Sequence, residues 1–374
     1  MPKTAVGLWA YPWDLQELGA AAVLRQLQEW RISELAVATV YHSGQILSLM
    51  GPDPRWIMQP SGPLVDFSDP FGMPVPLLAD LRVRLSDAGI ILRGWTVLGH
   101  DKHGWDPTIN VFGQAMVHAA CPVANQPRAT TLIGRLSDSG YFDVLDLEAL
   151  DFMSAIHGAH HEIIGPPMTP LIELLFSLCF CQACSRTFGS KLDWDALTYD
   201  VRTSLREVVQ HECIDIQPLS QLTTFLQEHP LIQHLLDERS LWLNRYLRAL
   251  SAASAIPLTP MISSYRGQQA LSWMAGWVPD ASWSSDIIAL GYGSPETVWS
   301  DLNELLLKGL APEQIICGQT LVAQATPTLA VAKSRVEQAF AAGIRRFCFY
   351  NWGLLNQPRR EWLNTLSALI WTMG

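Results

Sequence analysis

The feature that most limits what this chain can become is a set of eight short apolar runs spread over 374 residues. They read AVGLWA (5–10), ELAVATV (34–40), IILRGWTV (90–97), FDVLDLE (142–148), IPLTPMIS (256–263), DIIALGY (286–292), QIICGQT (314–320) and IRRFCFYNW (344–352). None alternates strictly between apolar and polar residues, as expected of strands whose sheet is covered on both faces. Between many of them lie stretches with helical spacing, such as QELGAAAVLRQLQEW, PLLADLRVRLSDAG and PTLAVAKSRVEQAFAAG. Repeated strand–helix alternation, closed by right-handed crossovers, predicts an α/β fold: a single (β/α)8 TIM barrel over 1–374. An open doubly wound sheet is the competing arrangement, and its glycine-rich G-x-G-x-x-G turn follows no early strand here. LLFSLCF (174–180) is read as something other than a ninth strand.

The remaining segments become connections and insertions. Residues 51–76 and 98–122 are expected to be long βα loops, and loops of that length usually carry function. A His- and Cys-rich insertion, 153–193, follows strand four; helix then runs from about Trp194 to Ala253 with a break near Pro218. Hydrophobic residues make up 49% and charged residues 16%, enough to bury a large core. The net charge of -10, with no lysine or arginine cluster, weighs against nucleic acid or an anionic membrane as partner. MPKTAVGLWAYPWDL lacks the pattern of a secretory signal, and seven scattered cysteines do not suggest a disulfide framework. The expectation is a soluble, cytoplasmic protein of unspecified oligomeric state.

In a barrel of this kind the active site lies at the C-terminal ends of the strands. Strand four ends DVLDLE, so Asp146 and Glu148 belong to that rim. Residues i and i+2 of a strand share a face about 6.5–7 Å apart, which predicts both acids facing the mouth together. Two carboxylates in a half-buried cleft resist ionising together, so one can stay protonated and act as general acid. Asp143, on the other face, is expected to be structural. The fifteen tryptophans add a further hint, since flat aromatic faces suit sugar rings.

LDLE at the end of strand four resembles the D-x-E ending of the chitinase-like family 18 glycoside hydrolases. That resemblance implies Glu148 as proton donor and Asp146 as the group that orients the substrate's acetamido arm. It also implies supporting roles for Tyr292, ending strand six, and for Trp352, ending strand eight as the floor of the site. More broadly, AVATVYHSGQIL, HAACPVANQP, LDLEALDFMSAIHGAHHE, LLFSLCFCQAC and FCFYNWGLL resemble a bacterial family of glycoside-hydrolase-like TIM barrels of uncharacterised activity. The implied partner is a small-molecule or oligosaccharide substrate, with no cofactor required.

Other rim residues complete the expected site. His42, Trp95, His100, His160, His161 and Tyr265 are expected to supply hydrogen bonds or stacking faces for a polyhydroxylated ligand, His161 also supporting the two acids, and Arg266 could bind an anionic group such as a uronate. His157 and His161, four apart, could instead chelate a metal with the two acids. Strand seven carries Gln319 where a retaining glycosidase keeps its carboxylate nucleophile, and Glu296 is the nearest alternative. A metal-dependent barrel enzyme (a sugar isomerase or an amidohydrolase-like hydrolase) and a degenerate sugar-binding barrel therefore stay open. CFCQAC places Cys179, Cys181 and Cys184 in C-x-C-x2-C spacing, suited to a structural zinc whose fourth ligand the local sequence does not supply.

Overall fold

The computed structural model describes residues 4–42, 44–51, 53–59, 62–63, 75–100, 104–154, 169–210, 219–263, 283, 285–323 and 325–374. Eight parallel strands close on themselves: β1 (Ala5–Ala10), β2 (Glu34–Tyr41), β3 (Ile91–Val97), β4 (Val144–Glu148), β5 (Leu258–Ser263), β6 (Ile287–Leu290), β7 (Ile315–Thr320) and β8 (Arg346–Tyr350). Closure comes from β1 pairing with both β2 and β8. The sequence-based reading of a (β/α)8 barrel is therefore the observed architecture.

The near-continuous apolar runs follow from two packing layers. Outward residues such as Leu8, Leu35, Leu92, Leu145, Leu147, Cys317 and Phe349 join the helices in one large core. Inward residues, among them Trp9, Ala36, Ala38, Trp95, Met261, Ile288, Ile316 and Cys348, fill the barrel. Alternating faces are thus both apolar, because neither meets water. LLFSLCF contributes to the helix Pro170–Ser177 rather than to a strand. The helical stretch after it is divided into Trp194–Gln210, Leu219–Glu228 and Pro230–Ala252.

Two segments read as plain loops contain sheet. Gly44–Ser48 pairs antiparallel with Arg55–Gln59, and Pro107–Ile109 with Ala115–Ala120. Both ribbons follow barrel strands at the mouth end, and Ile46 of the first packs against the aromatic residues there. They are short and partly exposed, so no sustained apolar run announces them.

Candidate functional site

The two acids of strand four separate by depth. Asp146 points into the barrel, fully buried, and accepts hydrogen bonds from Arg93 Nε at 3.0 Å and Nη2 at 2.6 Å. Arg93 also donates to Glu34 Oε2 at 3.1 Å and to Thr259 Oγ1 at 2.9 Å, tying β2, β3, β4 and β5 together beneath the mouth. Burial pushes the Asp146 carboxyl upward, and Arg93 opposes it. The expectation that both acids open onto the cleft is corrected here: two residues before Glu148 on the same inward face, Asp146 is sunk into the barrel and held by Arg93. Asp143 lies on the other face, bonded to the Leu92 N–H and paired with Arg82.

Glu148 stays at the mouth, half-buried, with Oε2 accepting from the Trp95 indole N–H at 2.6 Å. The chain turns sharply after it. Ala149 adopts φ 51°, a left-handed conformation, and its carbonyl accepts the Gly99 N–H at 2.6 Å. A side chain at Gly99 would collide with that carbonyl, so glycine is required for the turn that presents Glu148.

Beside Glu148 stands a group of phenols that sequence reading did not single out. Tyr11 follows β1, Tyr41 ends β2 and Tyr350 ends β8. The Tyr11 hydroxyl lies 3.0 Å from that of Tyr41 and 2.8 Å from that of Tyr350. Burial pushes all three phenols upward, and the Glu148 charge adds to this at Tyr41 and Tyr350. They remain protonated donors at any physiological pH. Trp95 packs edge-on against Tyr41 and Tyr350, with ring centroids 5.0 and 5.8 Å away. The signal in the sequence was a tyrosine closing or following several different strands.

Of the other predicted residues, Tyr292 lies 6.2 Å from Tyr350, ring to ring, and His42 stacks on Tyr41 with His100 beside it at 4.2 Å. Three are placed elsewhere. Trp352 is buried on the helix side, against Trp30, because it falls in a 3-10 turn beyond the end of β8. It is not a floor of the mouth. Gln319 shares the outward face of β7 with Cys317, to which it donates at 3.0 Å, so it does not occupy a nucleophile's place. Glu296 is exposed in the first turn of the helix Pro295–Leu307. His160, His161, Tyr265 and Arg266 lie outside the described residues. At the opposite end of the barrel a depression is lined by Ser33, Glu34, Glu313, Arg345 and Arg346. That face of such a barrel carries stability rather than chemistry.

Asp14 underlies the phenols. The Tyr11 N–H and the Ser48 hydroxyl donate to its two oxygens, at 3.1 and 3.3 Å. Burial raises its carboxyl to about 7 against those hydrogen bonds.

The cysteine spacing finds its fourth member in Cys121, which precedes the helix Pro122–Asp138. The Sγ atoms of Cys121, Cys179, Cys181 and Cys184 all lie within 4.8 Å of one another. Cys121 is 3.5 Å from Cys184 and 3.6 Å from Cys181. Tetrahedral zinc with bonds near 2.3 Å needs sulfurs about 3.8 Å apart, so the donor set fits such an ion closely. Hydrogen bonds within the group, that from Cys121 foremost, pull the Cys181 thiol far down. Among the described residues, no other group of three or more potential ligands converges in this way.

No family model matches the chain, and no curated protein does. Solved structures do. A β-amylase catalytic domain from Paenibacillus polymyxa superposes with a TM-score of 0.55 at 11% identity, over 99% of this chain and 98% of that one. A β-galactosidase from Bacillus circulans sp. alkalophilus gives 0.52 at 13% identity, over 100% of this chain. The β-galactosidase from the psychrophilic Marinomonas ef1 gives 0.55 at 10% identity, over 97%. The chain spans 57% and 59% of those two galactosidases. At such identities the likeness is one of fold, shared with glycoside-hydrolase TIM barrels.

Proposed function

We propose that the protein is a glycoside hydrolase with Glu148 as its general acid. The observation that carries this is the placement of a half-buried carboxylate at the C-terminal end of β4, fixed by an indole N–H among Tyr11, Tyr41, Tyr350 and Tyr292. A carboxyl at the strand end stands within reach of a glycosidic oxygen, and the aromatic faces and phenolic donors around it suit a sugar ring. Barrels named as β-amylase and β-galactosidases share the scaffold, which supports the reading. Asp146 acts from below: bound to Arg93, it anchors the end of β4 and thereby the position of Glu148. His42 and His100 border the substrate. In this reading the second reacting group is the substrate's own N-acetyl carbonyl, since among the described residues β7 ends in Gly318, Gln319 and Thr320 without a carboxylate. Glu148→Gln, assayed beside wild type on chromogenic glycosides including N-acetylhexosaminides, should lose at least about 100-fold in kcat. Full activity in a folded Glu148→Gln protein sinks the assignment. A second reading, a sugar-binding barrel without turnover, is favoured by the same bare end of β7; tight glycan binding with no hydrolysis of any glycoside would select it.

The four cysteines form a structural zinc site in this reading. When bound, the ion would cross-link the turn at Cys121 to the 179–184 segment, bracing the ribbon and insertion beside the mouth. The reduced thiols it requires suit the cytoplasm. Metal analysis of purified protein should find about one zinc per chain.

A further inference from the structure

Among the described residues, Arg239 is the fully buried arginine that makes no hydrogen bond. It lies in the helix Pro230–Ala252, is 1% exposed, and none of its Nε, Nη1 and Nη2 atoms has a hydrogen-bond partner. Its guanidinium sits over the Phe152 ring, 3.8 Å from the centroid, a contact that leaves every donor unused. Among the described residues no carboxylate comes within ion-pair distance of it, although Asp151, next to Phe152, feels its charge. A buried guanidinium with no hydrogen bond and no contact ion pair is strongly disfavoured, and further negative charge close by would balance it.

The surroundings name the balance. The helix Pro122–Asp138, entered from Cys121, packs against both the helix Gln182–Phe188, which carries Cys184, and the helix that carries Arg239. Burial pulls the guanidinium down to about 10, and the charges it feels in opposition come first from Cys184 and Cys179, then from Asp151 and Cys121. Four thiolates around a divalent ion leave a net charge of two minus in a site where Cys121, Cys179 and Cys184 are all buried. The backbone offers modest relief: Ile109 N–H donates to Cys179 Sγ and Cys184 N–H to Cys181 Sγ, both at 3.4 Å. A buried cation opposed by Asp151 only from beyond ion-pair distance, and a buried dianion with two backbone donors, would offset one another.

We propose that Arg239 is the internal counter-charge of the four-cysteine metal centre, a positioning residue that sets how tightly the ion is held. This rests on the zinc reading above. Outer-sphere partners of metal sites typically govern 10- to 100-fold in affinity, and Arg239→Met, which keeps the length and removes the charge, should weaken zinc binding by that factor. Arg239→Lys, which keeps the charge, should stay within about threefold of wild type.

The test is chelator competition on the zinc-loaded full-length protein, with circular dichroism to establish that each variant is folded. A second readout separates charge balance from simple packing. Stripped of metal, Arg239→Met should be as stable as stripped wild type or more so, while loaded it should be less stable; a packing role lowers both. Equal zinc affinity in wild type and folded Arg239→Met overturns the proposal, as does an Arg239→Lys that loses zinc as readily as Arg239→Met. If Arg239→Met does not fold, Arg239→Lys carries the test: it must fold and hold zinc within that threefold range, and failure there overturns the assignment. Wild-type protein that takes up no zinc removes the metal site itself, and the counter-charge with it; zinc bound independently of residue 239 removes only the latter.

Discussion

Replacing Arg93 by methionine tests whether Asp146 is held by an ion pair or available to a substrate. The substitution removes the cation from a carboxylate that is fully buried and bonded at 2.6 and 3.0 Å. Glu34 keeps Arg346 at 3.5 Å, so the loss falls chiefly on Asp146. Breaking one partner of a buried pair costs about 3–5 kcal/mol, because the survivor is left charged without solvent. With a urea m-value of about 3 kcal/mol/M, the unfolding midpoint should drop by about 1 to 1.7 M at pH 7. The penalty should shrink in acid. Burial already raises the Asp146 carboxyl, and without Arg93 its folded pKa rises further above the unfolded value, so the variant loses stability as pH rises. Arg93→Met/Asp146→Leu, which removes both charges, should recover most of the loss, with a coupling of at least about 2 kcal/mol. Urea unfolding followed by tryptophan fluorescence at pH 5.5 and 8 measures wild type, Arg93→Met, Asp146→Leu and the double variant. A single variant within about 1 kcal/mol of wild type, or a double variant as unstable as the two single changes added, refutes this account.

Asp14→Asn should flatten a pH dependence. The native carboxyl, raised to about 7, keeps its proton where the unfolded one has released it; stability therefore falls as pH climbs from about 4 to 7 and levels off above. The asparagine variant should lack that slope and be more stable at pH 8 by about 1–3 kcal/mol, read from urea titrations at both ends of the range. Gly99→Ala should cost about 1–3 kcal/mol by forcing the Ala149 carbonyl away, and should lower activity more than stability because Glu148 moves with that turn. Unchanged glycosidase activity in folded Gly99→Ala would show that the turn does not set the acid's position.

How much of this could be read in advance depended on the range of the interaction. The barrel was legible because burial on two faces leaves a mark on every strand. Glu148 was legible because strand periodicity and the strand-end rule are both local. Asp146 obeyed the same periodicity, but its fate was set by Arg93 on the neighbouring strand, at a sequence distance of 53. A charge inside IILRGWTV was the clue, since arginine rarely enters a buried strand unpaired. Cys121 lies 60 residues before Cys181, beyond any ligand-spacing pattern. Trp352 and Gln319 were misplaced for simpler reasons: one follows the strand's end in a 3-10 turn, and the other has the wrong parity.

The phenol group draws on β1, β2 and β8, and the seam where β1 meets β8 joins strands from opposite ends of the sequence. During synthesis, then, the phenol group cannot assemble until residue 350 has left the ribosome. A nascent or truncated product lacking residues beyond 345 would keep Glu148 yet have no Tyr350 beside it, and an unpaired edge where the first strand should be sealed. The phenol group is a property of the closed ring and of no fragment of it.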